Sequence, residues 1–283
     1  MLSAYLSLAK PRILALSVVV SLASAVIAGQ GSLALGTGVL LVLSGGLASA
    51  GAAFINNYFD RDIDAVMERT RHRPLPTGKV SPLTVLIVGV ALVAAAVPLA
   101  LLLNYLVASF VLGGVLIYSV IYTLWLKRRT SLNIVIGGLS GSSAVLAGWF
   151  AITSHISPVP LLIALIVFFW TPSHFWSLGL ACRASYRMAG VPILPVLAGT
   201  KKTAACILLS TSLVVAASLV TYFVGPFHQF YLVSAIVLGA LFLTANVVLL
   251  QQPTRRLAWL NFKLSGAYLL GLFLTMALDI AAH

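Results

Sequence analysis

The sequence predicts an all-α polytopic membrane protein, with nine transmembrane helices around a central cavity that opens at the cytoplasmic face. Of its 283 residues, 61% are hydrophobic and 8% are charged, which lies far outside the range of soluble globular proteins. Apolar runs that recur along the chain are each long enough to cross a hydrocarbon core of about 30 Å. The two cysteines, Cys182 and Cys206, have no metal-binding spacing. We therefore expect one transmembrane domain over residues 1–283.

Nine spans follow from the apolar runs. Their approximate ends are 12–29, 33–58, 83–103, 105–125, 131–153, 158–181, 203–224, 227–250 and 258–280.

The basic residues fix an expected orientation. All but one of the 17 Lys and Arg residues fall on one side of this topology, and Lys263 lies just inside the last span. The positive-inside rule then predicts a multi-pass protein of the cell membrane, with its N-terminus and charged loops in the cytoplasm and its C-terminus outside. The net charge of +12 is explained by this topology, so no nucleic-acid partner is expected. Two long loops on the charged side, about 60–82 and 182–202, are predicted to carry the active site.

An acidic cluster marks the first of these loops. Four of the five acidic residues fall within nine positions: Asp60, Asp62, Asp64 and Glu68. On a continuing helix Asn56, Asp60 and Asp64 share one face, with Asn57 at its edge and Asp62 on the opposite side. Like charges at this spacing repel unless a cation lies between them, and oxygen ligands favour Mg²⁺.

Basic residues follow the acidic cluster. They are Arg69, Arg71, Arg73 and Lys79. Positive charge beside a metal site suits an anionic, metal-bound ligand such as a pyrophosphate. A solvated charged loop that only sets the topology is the competing interpretation.

The sixth span carries a proline and a histidine. Pro172 removes one backbone hydrogen bond, so we expect the carbonyl of Phe168 to face a cavity. His174 follows two residues later. It is either a packed, hydrogen-bonded side chain or a functional group, and the spacing alone leaves both interpretations open.

Several segments resemble a known family. Residues 56–64 (Asn-Asn-Tyr-Phe-Asp-Arg-Asp-Ile-Asp) and 73–78 (Arg-Pro-Leu-Pro-Thr-Gly) resemble the first signature of the UbiA-type intramembrane prenyltransferases. Within that superfamily, residues 174–176 (His-Phe-Trp) and 189–196 (Ala-Gly-Val-Pro-Ile-Leu-Pro-Val) resemble the heme branch, the protoheme IX farnesyltransferases or heme O synthases. The resemblance covers about residues 5–200.

The resemblance implies a Mg²⁺-dependent prenyltransferase. The expected reaction transfers the farnesyl group of farnesyl diphosphate to a vinyl group of protoheme IX (heme B), which yields heme O and releases diphosphate. Heme is then a substrate, and Mg²⁺ is the cofactor. The expected partners are the lipid bilayer and either heme A synthase or a cytochrome oxidase assembly. The expected metal ligands are Asn56, Asn57, Asp60 and Asp64. The expected catalytic residues are Asp60, Asp64, Arg69 and Arg73. The expected substrate-binding residues are Lys10, Arg12, Lys127, Arg128, His174, Arg183, Tyr186 and Arg187.

The second loop departs from the family pattern. Related enzymes usually carry Lys-Asp-Asp-Tyr where this chain reads Arg183-Ala184-Ser185-Tyr186, so both aspartates are missing. The missing aspartates indicate either a single metal ion or a diverged active site. With a single ion, protein cations are expected to meet the remaining charge of the diphosphate.

Two other classes of function stay open. A UbiA-type enzyme that acts on a quinone precursor or chlorophyllide would carry the same first motif. A transporter or a non-catalytic heme-handling protein would explain nine spans and a proline-containing helix, but not the acidic stripe beside an arginine cluster.

Overall fold

Long apolar helices form the body of the protein. The computed structural model describes residues 2–283, and within these residues nine helices are long and apolar enough to cross a membrane. They are Pro11–Ala28, Leu35–Phe59, Pro82–Leu101, Tyr105–Leu126, Asn133–Phe150, Pro158–Ala181, Gly199–Val224, Gln229–Gln251 and Arg255–Ala281, called the first to ninth spans below. The predicted all-α membrane fold with nine spans is confirmed, and the predicted ends agree to within four residues.

Two spans are irregular. The fourth span is α-helical over Tyr105–Leu116 and π-helical over Ile117–Leu126, where the Thr123 hydroxyl donates to the Tyr118 carbonyl five residues earlier at 2.8 Å. The fifth span consists of two helices, Asn133–Gly137 and Leu139–Phe150. Gly138 joins them and lies against the sixth span, since a β-carbon there would be 3.4 Å from the Phe168 carbonyl oxygen. This carbonyl, which we expected to face a cavity, thus faces the fifth span.

The spans pack in a closed ring. Each span contacts the next along the chain, and the ninth packs against the first. Further contacts cross the ring, between the first and fifth spans, between the sixth and ninth, and between the second span and the fourth. Large apolar side chains such as Leu209, Phe223 and Leu241 point outward and are exposed, as expected for helices that face lipid.

The main apolar core fills the half of the bundle away from the charged loops. It contains the ends of the first, fifth and ninth spans and the beginnings of the sixth and eighth, and its fully buried members include Ile27, Ile163, Tyr231 and Phe273. The buried polar residues Asn56, Asn57, Asp60 and Asp64 lie at the other end of the bundle.

Short helices cover the charged end. They are Leu2–Leu8, Arg61–Val66, Arg183–Met188 and Leu194–Leu197. Ile63 and Met67 of the first long loop pack against Val191 and Ile193 of the second, and this buried cluster holds the two loops together. The expectation that both loops share one site is consistent with this contact.

Two clefts open at the charged end. One of about 500 Å³ is lined by Ser3, Ala4, Ser7, His72, Pro74 and Lys79. The other, of about 350 Å³, is lined by Tyr58, Phe59, Arg61, Asp62 and Arg128. Neither includes the carboxylate of Asp60 or Asp64. A central cavity that opens at the cytoplasmic face therefore stays a prediction.

Candidate active site

The acidic stripe lies at the end of the second span. Asn56, Asn57, Asp60 and Asp64 are all buried, with exposed fractions of 2–5%. The span ends at Phe59, but the backbone N–H groups of Asp60 and Asp64 still bond the carbonyls four residues earlier, at 2.9 and 2.7 Å. The helical spacing is thus kept through Arg61–Val66, while the Asp62 side chain is 61% exposed. This agrees with the predicted stripe.

Asp60 is the most enclosed carboxylate of the stripe. Its Oδ2 atom accepts a hydrogen bond from the Asn56 amide at 2.8 Å and forms an ion pair with Lys127. Burial alone would lower the pKa of Lys127, but the Asp60 carboxylate raises it above its ordinary value. The Oδ1 atom of Asp60 is buried and has no hydrogen-bond partner among residues 2–283. A buried carboxylate oxygen without a partner is costly, so it points to a ligand.

Asp64 is held by Arg73. The guanidinium Nη1 lies 2.7 Å from Asp64 Oδ2 and 3.3 Å from Asn57 Oδ1, so one arginine joins two predicted metal ligands. Asn57 donates its own amide protons to the carbonyls of Leu8 and Ala53, at 2.9 and 2.7 Å, which leaves its oxygen directed at the site.

Lys10 enters the site from the N-terminal segment. Its backbone is left-handed (φ 52°, ψ 62°), which is uncommon for a lysine and directs the side chain to Asn56 Oδ1 and, at 3.2 Å, to the Tyr118 hydroxyl. Burial and the nearby charge of Arg73 lower the pKa of Lys10 to about 7. Lys10 therefore adds a third basic group to the carboxylate cluster.

The fourth span contributes two residues that the sequence analysis missed. Thr123 accepts a hydrogen bond from the Asn56 amide at 2.9 Å, and Tyr118 accepts one from Lys10. Both lie in the π-helical stretch. Polar side chains inside an apolar span are a recognised functional signal, and that signal could have identified them.

Arg128 lies on the outer side of the stripe. It forms a two-pronged ion pair with Asp62, with both N to O distances at 2.7 Å, and donates to the Phe59 carbonyl at 2.9 Å. Its hydrogen bonds lower the pKa of Asp62 to about 2. Both side chains are largely exposed, and the predicted role of Arg128 in substrate binding stays a prediction.

The remaining predicted basic residues differ in burial. Arg12, Arg69 and Arg187 are exposed. Arg183 is partly buried, and its Nε atom is buried without a hydrogen-bond partner among the described residues. Tyr186 packs on the apolar cluster that joins the two loops. The structure thus brings Lys10, Arg73 and Lys127 directly to the stripe and leaves Arg12, Arg69 and Arg187 at the surface.

Residues 17–274 match the UbiA prenyltransferase family. The chain belongs to this family. Its curated relatives include a protoheme IX farnesyltransferase 1 of Cenarchaeum symbiosum, 42% identical with 98% of this chain and 96% of the relative covered. A protoheme IX farnesyltransferase of Symbiobacterium thermophilum is 39% identical, covering 98% and 93%.

Solved structures share the fold of this chain. A digeranylgeranylglyceryl phosphate synthase superposes with a TM-score of 0.81 at 20% identity, covering 100% of this chain and 99% of the other. A UbiA homolog from Archaeoglobus fulgidus bound to DMAPP and Mg²⁺ gives a TM-score of 0.72 at 19% identity, covering 98% and 99%. These likenesses confirm the architecture of this UbiA member.

The stripe of this UbiA member fits a magnesium ion. Asn56, Asn57, Asp60 and Asp64 offer only oxygen atoms, the ligand type that Mg²⁺ prefers. The partnerless Oδ1 atom of Asp60 is the observation in this structure that favours such an ion.

His174 lies in a polar and aromatic contact between the sixth and ninth spans. Its ring stacks on Trp170 and packs against Phe262, both with centroids at 4.3 Å. Its Nδ1 atom is 2.6 Å from the Ser265 hydroxyl, which itself donates to the Phe262 carbonyl at 2.8 Å. With that hydroxyl bonded to Phe262, the contact places His174 Nδ1 as donor to Ser265 and leaves Nε2 with a lone pair in the neutral ring.

Proposed function

We propose that this protein transfers the farnesyl group of farnesyl diphosphate to a vinyl group of protoheme IX, which forms heme O and releases diphosphate. The observation that carries this proposal is the 42% identity, over nearly the full length of both chains, to a relative named protoheme IX farnesyltransferase 1. The buried carboxylates are paired with Arg73 and Lys127, and Lys10 binds the neighbouring Asn56. This arrangement supports a reaction in which a diphosphate departs.

The bound Mg²⁺ ion would be held by Asn56, Asn57, Asp60 and Asp64. It would supply positive charge that stabilises the departing diphosphate. The chain's own cations add to this effect, because Lys127, Arg73 and Lys10 lie within hydrogen-bonding distance of the stripe and can donate charge-assisted bonds to phosphate oxygens.

The proposed reaction breaks the bond between C1 of the farnesyl group and oxygen, and the electron pair leaves with the diphosphate. The terminal vinyl carbon of heme then bonds to C1. Water adds to the other vinyl carbon and releases one proton, which gives the hydroxyethylfarnesyl side chain. The allylic cation must survive until the vinyl group attacks, so water has to be excluded from it.

Aromatic rings beside the cationic groups favour the exclusion of water from the allylic cation. Tyr118 and Tyr122 stack with centroids 5.6 Å apart, and Lys127 lies 5.8 Å from the Tyr122 ring. Trp176 is buried in the same cluster as Tyr122. Aromatic faces attract cations, and this cluster excludes water from the neighbourhood of the stripe. Tyr118, Tyr122 and Trp176 are therefore candidate walls for the prenyl group.

An acceptor comparison tests the proposed function. The purified protein is incubated with labelled farnesyl diphosphate and Mg²⁺, with either heme B or 4-hydroxybenzoate as acceptor. We expect label to transfer to heme B and not to 4-hydroxybenzoate. Transfer to the phenol alone would contradict the heme assignment. Absence of Mg²⁺-dependent diphosphate release with either acceptor would favour a transporter or heme-handling protein.

We propose, from the positive-inside rule, that the charged loops face the cytoplasm. In intact cells, after replacement of Cys182 and Cys206 by Ser, a membrane-impermeant thiol reagent should label a Ser154→Cys variant and not a Thr77→Cys variant. Both positions are exposed and lie at opposite ends of the bundle. Labelling of only the Thr77→Cys variant would reverse the orientation.

The second loop should bind diphosphate through Arg183. Its partnerless Nε atom is a buried donor that a phosphate oxygen would satisfy. Arg183→Ala is expected to raise the KM for farnesyl diphosphate about tenfold or more, which corresponds to a lost charged hydrogen bond of about 1.5–3 kcal/mol. Heme affinity should not change. Arg187→Ala should have a smaller effect because Arg187 is exposed.

The exposed Arg129 provides the matched control for this prediction, and Arg129→Ala should leave the KM unchanged.

Because the second loop carries no aspartates, activity should rise with Mg²⁺ along a one-site curve. A cooperative two-metal dependence would contradict the single-ion interpretation.

His174 should contact the acceptor. Neutral imidazole binds heme iron through a nitrogen lone pair, which Nε2 of His174 can supply. His174→Ala is therefore expected to weaken heme binding in a spectral titration by about tenfold or more, and farnesyl diphosphate binding much less. The control is Ser265→Ala, which removes the ring's hydrogen-bond partner and keeps the imidazole. Unchanged heme affinity in His174→Ala would mean that His174 only packs between the sixth and ninth spans.

A further inference from the structure

A second group of metal-ligating side chains lies at the opposite end of the bundle from the charged loops. Asp279 is in the last turns of the ninth span, His283 follows that span, and His228 precedes the eighth. One candidate ligand atom from each residue can be chosen so that all three lie within 4.8 Å of one another. The proposed prenyl transfer uses none of these residues.

Asp279 is held rigidly. It is fully buried, and its carboxylate accepts the backbone N–H of His228 at 2.6 Å and that of Tyr231 at 3.1 Å. The carboxylate therefore caps the start of the eighth span and favours negative charge there. Each carboxylate oxygen has a second lone pair, so these two hydrogen bonds leave capacity for a cation.

The two histidines are placed to add nitrogen ligands. His283 Nδ1 lies 2.9 Å from the Asp279 carbonyl oxygen. Because a carbonyl can only accept, Nδ1 carries the proton and Nε2 keeps its lone pair. This is the outer hydrogen bond that metal-binding histidines usually make. His228 Nδ1 lies 3.4 Å from Asp279 Oδ2, and the two imidazole rings stack with centroids 4.0 Å apart.

We propose that His228, Asp279 and His283 form a binding site for a zinc-type divalent transition metal ion. Two imidazoles and one carboxylate match the ligands that Zn²⁺, Co²⁺ and Ni²⁺ accept, whereas Mg²⁺ prefers oxygen alone. The stacked rings must tilt before both nitrogens can point at one ion. The exposure of both histidines permits this movement.

A bound ion would join the start of the eighth span to the end of the ninth. An ion that binds the folded state alone stabilises it by mass action. The competing explanation is a helix cap with two stacked rings that needs no ion. The two explanations differ in metal affinity, which can be measured without reference to prenyl transfer.

The test uses the full chain in detergent, with any histidine tag removed and excess Mg²⁺ present to fill oxygen-only sites. Co²⁺ is titrated and its visible absorption followed, and Zn²⁺ is then added to displace it. Wild type should bind one ion with micromolar affinity. His228→Ala and His283→Ala should each weaken binding about tenfold or more. His155→Ala is the matched control, since His155 is exposed at the same end of the bundle, and it should bind like wild type.

Stability gives a second readout. At the same Zn²⁺ concentration, the melting temperature of wild type and of His155→Ala should rise more than that of the other two variants. Metal-free melting temperatures check folding, and His228→Gln and His283→Gln replace the alanine variants if those unfold. Absence of saturable binding in wild type would overturn the proposal. Wild-type affinity in both histidine variants, or an equal loss in His155→Ala, would also overturn it.

Discussion

Asp60→Asn and Asp64→Asn are each expected to slow prenyl transfer about 10²–10³-fold, and each also leaves the ion-pair partner, Lys127 or Arg73, without its carboxylate. Each substitution keeps the shape of the side chain and removes a negative charge from the buried stripe. Loss of one charged ligand weakens the stabilisation of the departing diphosphate by several kcal/mol, which corresponds to about 10²–10³ in turnover. Initial rates with farnesyl diphosphate and heme B measure the loss, and the melting temperature reports folding.

Asp62→Asn is the matched control for these variants. Asp62 belongs to the same acidic cluster, but its side chain is exposed and paired with Arg128. An exposed ion pair contributes at most about 1 kcal/mol, so turnover should fall only severalfold. Equal loss of activity in all three variants would mean that the stripe does not separate functional from peripheral carboxylates.

Lys127→Met is expected to have the second large effect, on both stability and turnover. The substitution keeps a long apolar stem but leaves the buried Asp60 carboxylate without its cation. Breaking a buried ion pair from one side costs about 3–5 kcal/mol, because the remaining charge is uncompensated. The free energy of unfolding in mixed micelles measures this cost, and turnover should be lost because the substitution removes a cation that we propose binds the diphosphate.

A double variant separates these two effects. Asp60→Asn with Lys127→Met removes both charges, so it should recover most of the lost stability and none of the lost activity. Arg129→Met provides the control for loss of a nearby exposed cation. If the double variant is as unstable as Lys127→Met, then Lys127 stabilises the protein by packing and not by pairing with Asp60.

The bundle and the stripe could be predicted because both depend on local spacing. Each span needs only an apolar run that matches the bilayer, so the nine spans follow from composition along the chain. The shared face of Asn56, Asp60 and Asp64 needs only a helix that continues past Phe59. The backbone bonds of Asp60 and Asp64 meet that requirement.

The partners of the stripe could not be predicted in the same way. Lys127 pairs with Asp60, and Thr123 with Asn56, across 67 positions in each case. Those pairs depend on how the second and fourth spans pack and on the π-helical turns that set the direction of Thr123. Asp279 and His228 meet across 51 positions for the same reason, since helix packing alone brings them together.

The most direct test of the proposed function is the mass of the heme after reaction. The purified protein is incubated with heme B and farnesyl diphosphate, with and without Mg²⁺, and the extracted heme is analysed by mass spectrometry. We predict that, with Mg²⁺, heme B gains the mass of one farnesyl group and one hydroxyl group, and that it stays unchanged without Mg²⁺. Unmodified heme B in both reactions, with an active control enzyme under the same conditions, would contradict the proposed function.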